Sequence, residues 1–152
     1  DQTKTELLNP KQSEKMMNGK QFLVVEDKRV NQWVIKAILR KWKGVSFDFA
    51  NHGLEALEAL KTKAYDVVLM DLQMPEMDGY EATEQIRSGN SGMNSSNIPI
   101  IAVTADTTEK TKARVFAIGM DDYITKPIDQ ELLYASVEKV LYLEKIKLNL
   151  EI

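Results

Sequence analysis

Short apolar runs alternate with helical apolar patterns along most of this 152-residue chain, and that alternation limits the folds open to it. Residues 22–25 and 67–70 are continuous apolar runs, as expected of strands that are covered on both faces. No hairpin signal joins consecutive strands, so the strands are expected to pair in parallel with a helix crossing between them. The pattern predicts an α/β fold of five strand–helix units, with helices on both faces of the sheet.

The predicted strands occupy residues 22–25, 46–49, 67–70, 98–103 and 122–124, and a helix follows each of them. Residues 1–19 are mostly polar, so we interpret them as a linker or a cloning remnant. The domain is predicted to span residues 20–148, with 149–152 as a tail. In the first of the five helices, Trp33 continues an apolar stripe and is predicted to lie in the core.

Composition excludes several classes of function. The chain has no Cys, which rules out disulfides, zinc–thiolate sites and Cys nucleophiles and agrees with a reducing cytoplasm. A formal net charge of -3 provides no basic field for nucleic acid. No apolar run approaches the roughly 20 residues of a membrane-spanning helix. We therefore expect a cytoplasmic domain that contacts neither nucleic acid nor membrane.

Polar side chains follow four of the five predicted strands. Glu26 and Asp27 follow the first strand, Asp71 follows the third, Thr104 the fourth and Lys126 the fifth. In a parallel sheet these strand ends meet at one edge, where ligands bind. Two carboxylates brought together there repel by roughly 4 kcal/mol at an effective dielectric of about 20. The sequence therefore predicts a divalent cation at this edge, and Mg²⁺ suits an all-oxygen donor set.

These groups together favour phosphoryl transfer, which needs positioning and charge neutralisation more than covalent help. Asp71 ends the most apolar strand and therefore lies centrally, so it is the best candidate for a nucleophile. Its product would be an acyl phosphate. Lys126 would supply a second positive charge, and Thr104 would supply a hydroxyl donor.

Four motifs in this order and spacing resemble the receiver domains of two-component response regulators and hybrid histidine kinases. They are VVED at 24–27, VVLMDLQMPEMDG at 67–79, AVTAD at 102–106 and DDYITKP at 121–127. The resemblance covers about residues 20–143. It implies the flavodoxin-like fold of CheY, a three-layer sandwich with strand order 2-1-3-4-5 and five helices. It also implies a domain that assists its own phosphorylation and dephosphorylation without being an independent kinase.

The resemblance further implies a set of site residues. Asp71 would be the phosphoacceptor, and Mg²⁺, or Mn²⁺ in its place, would be held by Asp27, Asp71 and the backbone carbonyl of Gln73. Glu26 would act on the metal largely through water. Lys126 would pair with the phosphoryl group, across a cis bond to the following proline.

A switch is also implied by the resemblance. Thr104 would move toward the phosphate while Tyr123 swings inward. Phosphorylation adds up to roughly two negative charges and three acceptor oxygens, so charge at the site would be converted into a change of surface shape.

The residues after the acidic pair, Val-Asn-Gln at 30–32, look like those of hybrid-kinase receivers, whereas Lys28 departs from the Asn expected there. The implied partner is a histidine kinase or a histidine phosphotransfer domain, docking around Asn31 and Val34 and near residues 127–128. The parent chain would then be a sensor kinase, which can itself be membrane-bound.

Two alternatives belong to other classes. A Mg²⁺-dependent phosphohydrolase also works through an aspartyl phosphate, but position 73 is Gln and gives Asp71 no acidic partner two residues on. A pseudo-receiver would bind partners without phosphorylation, which the intact set of acids, Thr104 and Lys126 disfavours.

Overall fold

One parallel sheet organises the chain, and a computed structural model describes residues 8–150 of it. Its strands are β1 Gln21–Val25, β2 Ser46–Ala50, β3 Val67–Asp71, β4 Ile100–Thr104 and β5 Asp122–Thr125. All neighbouring pairs are parallel, in the order β2-β1-β3-β4-β5. The predicted α/β class and the strand order 2-1-3-4-5 are therefore confirmed.

Helices cover both faces of the sheet. Within residues 8–150 they are α1 Pro10–Met17, α2 Arg29–Leu39, α3 Gly53–Thr62, α4 Gly79–Arg87, α5 Glu109–Ala117 and α6 Gln130–Leu150, with a short 3-10 turn at Met93–Ser95. Five of the six α-helices correspond to the predicted ones, and α1 is additional. None of the helices in this part of the chain combines the length and the apolar character needed to cross a bilayer.

Alternate residues of the strands fill two separate cores, because successive side chains of a strand point to opposite faces. Leu23 and Val25 of β1 pack with buried residues of α3, α4 and α5. Phe22 and Val24 pack with buried residues of α1, α2 and α6. All five residues of β3 are buried, so this strand lies at the centre of the three layers.

Helix α1 lies in the segment that we interpreted as a linker. Asn9 accepts a hydrogen bond from the Gln12 N–H at 2.9 Å, and the Gln12 side chain accepts one from the Asn9 N–H at 3.1 Å. This reciprocal pair is a capping box, and Pro10 occupies a first-turn position where its missing N–H costs nothing. The proline of the predicted linker therefore begins a helix.

Contacts with α6 and the sheet hold α1 in place. The Ser13 hydroxyl lies 2.7 Å from the Tyr134 hydroxyl and also donates to the Glu138 carboxylate. Met17 is only 2% exposed and belongs to the core on that face. At the other end of the chain, α6 continues through Leu150 into the predicted tail. Residues 1–7 and 151–152 of the predicted termini lie outside the described residues.

Helix α2 has two apolar faces. Ile35, Ile38 and Leu39 are buried against the sheet. Trp33 is 62% exposed, so its prediction as a core residue is wrong. The stripe that contains Trp33 has helical spacing, but a second stripe of the same helix faces the sheet. Periodicity alone does not say which of two apolar stripes is the buried one.

Candidate functional site

Three carboxylates meet at the carboxyl edge of the sheet. Glu26 and Asp27 follow β1 directly, and Asp71 is the last residue of β3. Val25 pairs with Met70 in the sheet register, which places the next residues of both strands side by side. One carboxylate oxygen from each acid lies within 4.8 Å of the others. The predicted convergence of these acids is present in the structure.

An ammonium group bridges two of these carboxylates. Lys126 Nζ lies 3.1 Å from Glu26 Oε1 and 3.3 Å from Asp71 Oδ1. Its backbone N–H donates to the Thr104 carbonyl at 2.8 Å, which fixes the segment after β5 beside the end of β4. The Lys126–Pro127 peptide is cis. Lys126 is thus held at the same edge as the acids.

Burial and mutual repulsion perturb the titration of this cluster. Desolvation, together with the Glu26 charge, raises the pKa of Asp71 to about 6. Burial alone would raise the pKa of Glu26, but the Lys28 N–H and the Lys126 ammonium outweigh it and lower that pKa. Burial opposes the charge on Lys126, yet Asp71 and Glu26 outweigh it and raise its pKa. Asp71 is therefore the acid whose ionised form is destabilised by its surroundings.

The loop after β3 approaches Asp71 closely. The Gln73 N–H donates to Asp71 Oδ1 at 3.3 Å, which places the Gln73 backbone beside the acid. A Cβ built on Gly79 would lie 2.3 Å from the Asp71 carbonyl oxygen. The loop can fold back onto the strand end only because residue 79 lacks a side chain.

Thr104 and Tyr123 lie on neighbouring strands: Thr104 is the last residue of β4, and Tyr123 of β5 pairs with Ala102, two residues before Thr104. Thr104 is buried, and its hydroxyl oxygen accepts a hydrogen bond from the Asp106 N–H at 3.0 Å. The half-buried Tyr123 ring packs edge-on against Phe116, with centroids 6.1 Å apart. Lys112 Nζ lies 5.3 Å from the centroid of the same ring. The switch role of Thr104 and Tyr123 stays a prediction.

The donor set fits a hard divalent cation. Three carboxylates and one ammonium, all ionised, carry a charge of -3 + 1 = -2. Asp27 Oδ1 is buried and has no hydrogen-bond partner among residues 8–150. A buried charged oxygen without a partner is costly, and a cation at the mutual distances of these oxygens would satisfy it. Glu26, Asp27 and Asp71 could thus hold such an ion.

Two residues without a predicted role also contact this edge. The Gln32 side chain donates to the Glu26 carbonyl at 2.6 Å and to Asn51 Oδ1 at 2.9 Å. Gln32 lies on α2, and Asn51 follows β2. Gln32 belongs to the Val-Asn-Gln segment, but that segment does not indicate this contact, because the contact depends on how α2 packs over the end of β1.

Comparison with known proteins places these features in a family. Residues 22–138 match the model of the response regulator receiver domain. Hybrid signal transduction histidine kinase B of Dictyostelium discoideum is 39% identical over an alignment of 129 residues, and the match covers 79% of this chain and 6% of that protein. The chain therefore spans a small part of the length of this curated relative.

Two solved structures are similar as well. One is the receiver domain of a sensor histidine kinase from Pseudomonas aeruginosa, which has a magnesium ion coordinated in its active-site cleft. Its TM-score is 0.72 and its identity 35%, over 81% of this chain and 98% of that one. The other is a receiver domain from Saccharomyces cerevisiae in complex with a histidine phosphotransfer protein. Its TM-score is 0.68 and its identity 32%, over 77% of this chain and 85% of that one.

The family match runs from β1 into the first part of α6 and includes the three acids and the bridging lysine. The relative from Dictyostelium discoideum is a hybrid histidine kinase, the class of protein that the Val-Asn-Gln segment implied. By sequence and by fold, the chain belongs to the response regulator receiver domains of two-component signalling.

Proposed function

We propose that Asp71 accepts a phosphoryl group from a phosphohistidine, with Mg²⁺ or Mn²⁺ held by Glu26, Asp27, Asp71 and the Gln73 carbonyl. The domain then relays the group or changes its surface. The observation that carries this proposal is the approach of the three acids to within 4.8 Å, with Lys126 3.3 Å from Asp71. A magnesium ion in the cleft of the similar Pseudomonas receiver supports it.

The proposed transfer is a substitution at phosphorus. An oxygen of the Asp71 carboxylate forms the new P–O bond, and the P–N bond of phosphohistidine breaks. The bonding pair stays with the departing nitrogen, and the other ring nitrogen of the phosphohistidine carries a proton, so the ring leaves as neutral imidazole. A divalent cation, when bound, neutralises charge on the phosphoryl oxygens. Lys126 adds a fixed positive charge at the acceptor and can release Asp71 to pair with the phosphoryl group instead.

The conformational response is proposed for Thr104 and Tyr123. The Thr104 hydroxyl now accepts from the Asp106 N–H, and its own proton is available for a phosphoryl oxygen. Movement of Thr104 toward that oxygen would break its contact with Asp106 and leave room beside the Tyr123 ring. The joint movement of Thr104 and Tyr123 would couple the charge at Asp71 to the surface formed by β5 and α5.

The partner is proposed to be a histidine kinase or a histidine phosphotransfer domain that docks on the exposed apolar stripe of α2. Val30 is 65% exposed and Val34 44%, and Trp33 lies between them at helical spacing. Such a stripe beside the site suits the apolar face of a helix bundle. The Saccharomyces receiver pairs with a histidine phosphotransfer protein, which supports this choice.

The parent protein is proposed to be a hybrid sensor kinase, because the relatives are kinases of which this chain spans a small part. We propose that the domain itself lies in the cytoplasm, as its lack of Cys agrees with a reducing compartment.

Labelling with a small phosphodonor tests the proposed chemistry. With acetyl phosphate and Mg²⁺, intact-mass measurement should find one phosphoryl group per wild-type chain and none on Asp71→Asn. Glu58→Gln removes an exposed carboxylate from α3 and should label like the wild type. Absence of label on the wild type would favour a pseudo-receiver. Repeated turnover of a phosphomonoester would favour a phosphohydrolase.

A further inference from the structure

The side chain of Gln32 reaches from α2 back to the acidic pair. Its Nε2 donates to the Glu26 carbonyl at 2.6 Å and to Asn51 Oδ1 at 2.9 Å. Both protons of the amide are therefore used. The acceptor in Glu26 is its backbone carbonyl and not its carboxylate. The hydrogen bond therefore restrains the backbone of Glu26.

Asn51 is oriented by a second set of hydrogen bonds. Its Nδ2 donates to Glu55 Oε1 at 3.0 Å and Oε2 at 3.2 Å, and its backbone N–H donates to Glu55 Oε2 at 3.2 Å. Because the amide nitrogen is committed to Glu55, the amide oxygen faces Gln32. Glu55 lies in the first turn of α3. A continuous hydrogen-bond chain thus joins α3 to the carbonyl of Glu26.

The other polar groups of Glu26 are also fixed. Its N–H donates to the Ala50 carbonyl at 3.0 Å, and its Oε2 accepts from the Lys28 N–H at 3.0 Å. The Glu26 carbonyl belongs to the peptide that joins Glu26 to Asp27. A rotation of this peptide would turn both carboxylates relative to Asp71. The Gln32 hydrogen bond opposes that rotation.

We infer that Gln32 and Asn51 are positioning residues, which hold the Glu26–Asp27 peptide so that both carboxylates face Asp71. This inference rests on the proposed function, because it gives the two residues a purpose only if the acids hold Mg²⁺. Neither residue is one of the proposed metal ligands, because the Gln32 amide contacts the Glu26 carbonyl and Asn51. They act as outer partners of the metal ligands, whose loss lowers metal affinity in other proteins by about 10–100-fold.

The test is the Mg²⁺ affinity of the full chain, measured by calorimetry without any phosphodonor. Gln32→Met keeps the length of the side chain but cannot donate, and it should weaken Mg²⁺ binding about tenfold. Asn51→Ala should weaken binding less, and the double variant should bind as weakly as Gln32→Met alone, because the two residues act in series. Gln130→Met makes the same change at an exposed glutamine of α6 and should leave the affinity unchanged.

A purely structural role would give a different result. It would lower the thermal midpoint of the metal-free variants and leave the Mg²⁺ affinity as it is. Equal Mg²⁺ affinity in wild type, Gln32→Met and Asn51→Ala would overturn the positioning role while leaving the proposed function intact. A wild type that binds no Mg²⁺ would overturn both.

Discussion

Replacing Asp71 by Asn should stabilise the metal-free protein at neutral pH. The site holds Asp71 beside Glu26 in a buried position, which raises the pKa of Asp71 from 3.8 to about 6. At about 1.4 kcal/mol per pKa unit, keeping Asp71 ionised above pH 6 costs on the order of 3 kcal/mol. Asn has the same shape and no charge, so the variant avoids this cost.

The attraction of Lys126 for the Asp71 carboxylate is already contained in this cost, because the ammonium lowers the pKa of Asp71 from what burial and Glu26 alone would give. The gain should therefore be on the order of 3 kcal/mol, or a rise of about 6–12 °C in the unfolding midpoint for a domain of this size. Urea unfolding and thermal unfolding in the presence of a chelator are the two suitable measurements.

The pH dependence of this stability difference should identify the Asp71 charge as its cause. Because the pKa of Asp71 is raised on folding, the native state retains a proton between about pH 4 and pH 6 that the unfolded chain has lost. The favourable contribution of this group is complete below pH 4 and is lost as the pH rises through 6. The advantage of Asp71→Asn should therefore be absent at pH 4 and complete at pH 7.5.

Magnesium should cancel most of this advantage. A ligand at 100 times its dissociation constant stabilises a protein by about 2.7 kcal/mol, and the variant has lost one of the binding carboxylates. Glu58→Gln should match the wild type under all conditions. If Asp71→Asn were no more stable than the wild type at pH 7.5, or if its advantage persisted at pH 4, the destabilisation assigned to the Asp71 charge would be wrong.

Three further changes test other parts of the structure. Gly79→Ala should destabilise the domain by about 1–3 kcal/mol in urea unfolding and reduce labelling of Asp71, because the new Cβ would lie 2.3 Å from the Asp71 carbonyl oxygen. Stability and labelling equal to those of the wild type would show that the loop can relax around the added methyl group. Trp33→Ala should weaken transfer from a phosphotransfer partner at least tenfold while labelling by acetyl phosphate stays unchanged, and equal loss in both assays would point to misfolding. Met17→Ala should cost about 2 kcal/mol or more of unfolding free energy, since this side chain is 2% exposed, whereas no loss would favour the interpretation of residues 1–19 as a linker.

Sequence patterns predicted the sheet and its acidic edge because both follow from periodicity. Continuous apolar runs identify buried parallel strands, and the residue after each run must lie at the carboxyl edge. Glu26, Asp71 and Lys126 were predictable for this reason, although their positions along the chain are far apart. The fold class could be predicted from the order of strands and helices, without knowing the exact first and last residue of each.

Features that depend on the choice between equivalent surfaces were not predictable in the same way. Trp33 belongs to one of two apolar stripes on α2, and only packing against the sheet decides which stripe is buried. Helix α1 did have a local signal, since Asn9, Pro10 and Gln12 form a capping box with a proline in the first turn. Because most residues of α1 are polar, the composition did not indicate the one face of the helix, with Met17, that packs on the core.

Two features that lower the stability of the isolated domain lie close together. Asp71 is buried beside another carboxylate, and α2 exposes a stripe of large apolar side chains. Helix α2 begins at Arg29, two residues after Asp27, so Trp33 lies about 6 Å along the helix axis from its start. A partner covering the stripe would therefore hold its own reactive group near Asp71. Each feature costs stability in the isolated domain, and each would be relieved by the step proposed for it: the first by a cation and the second by docking.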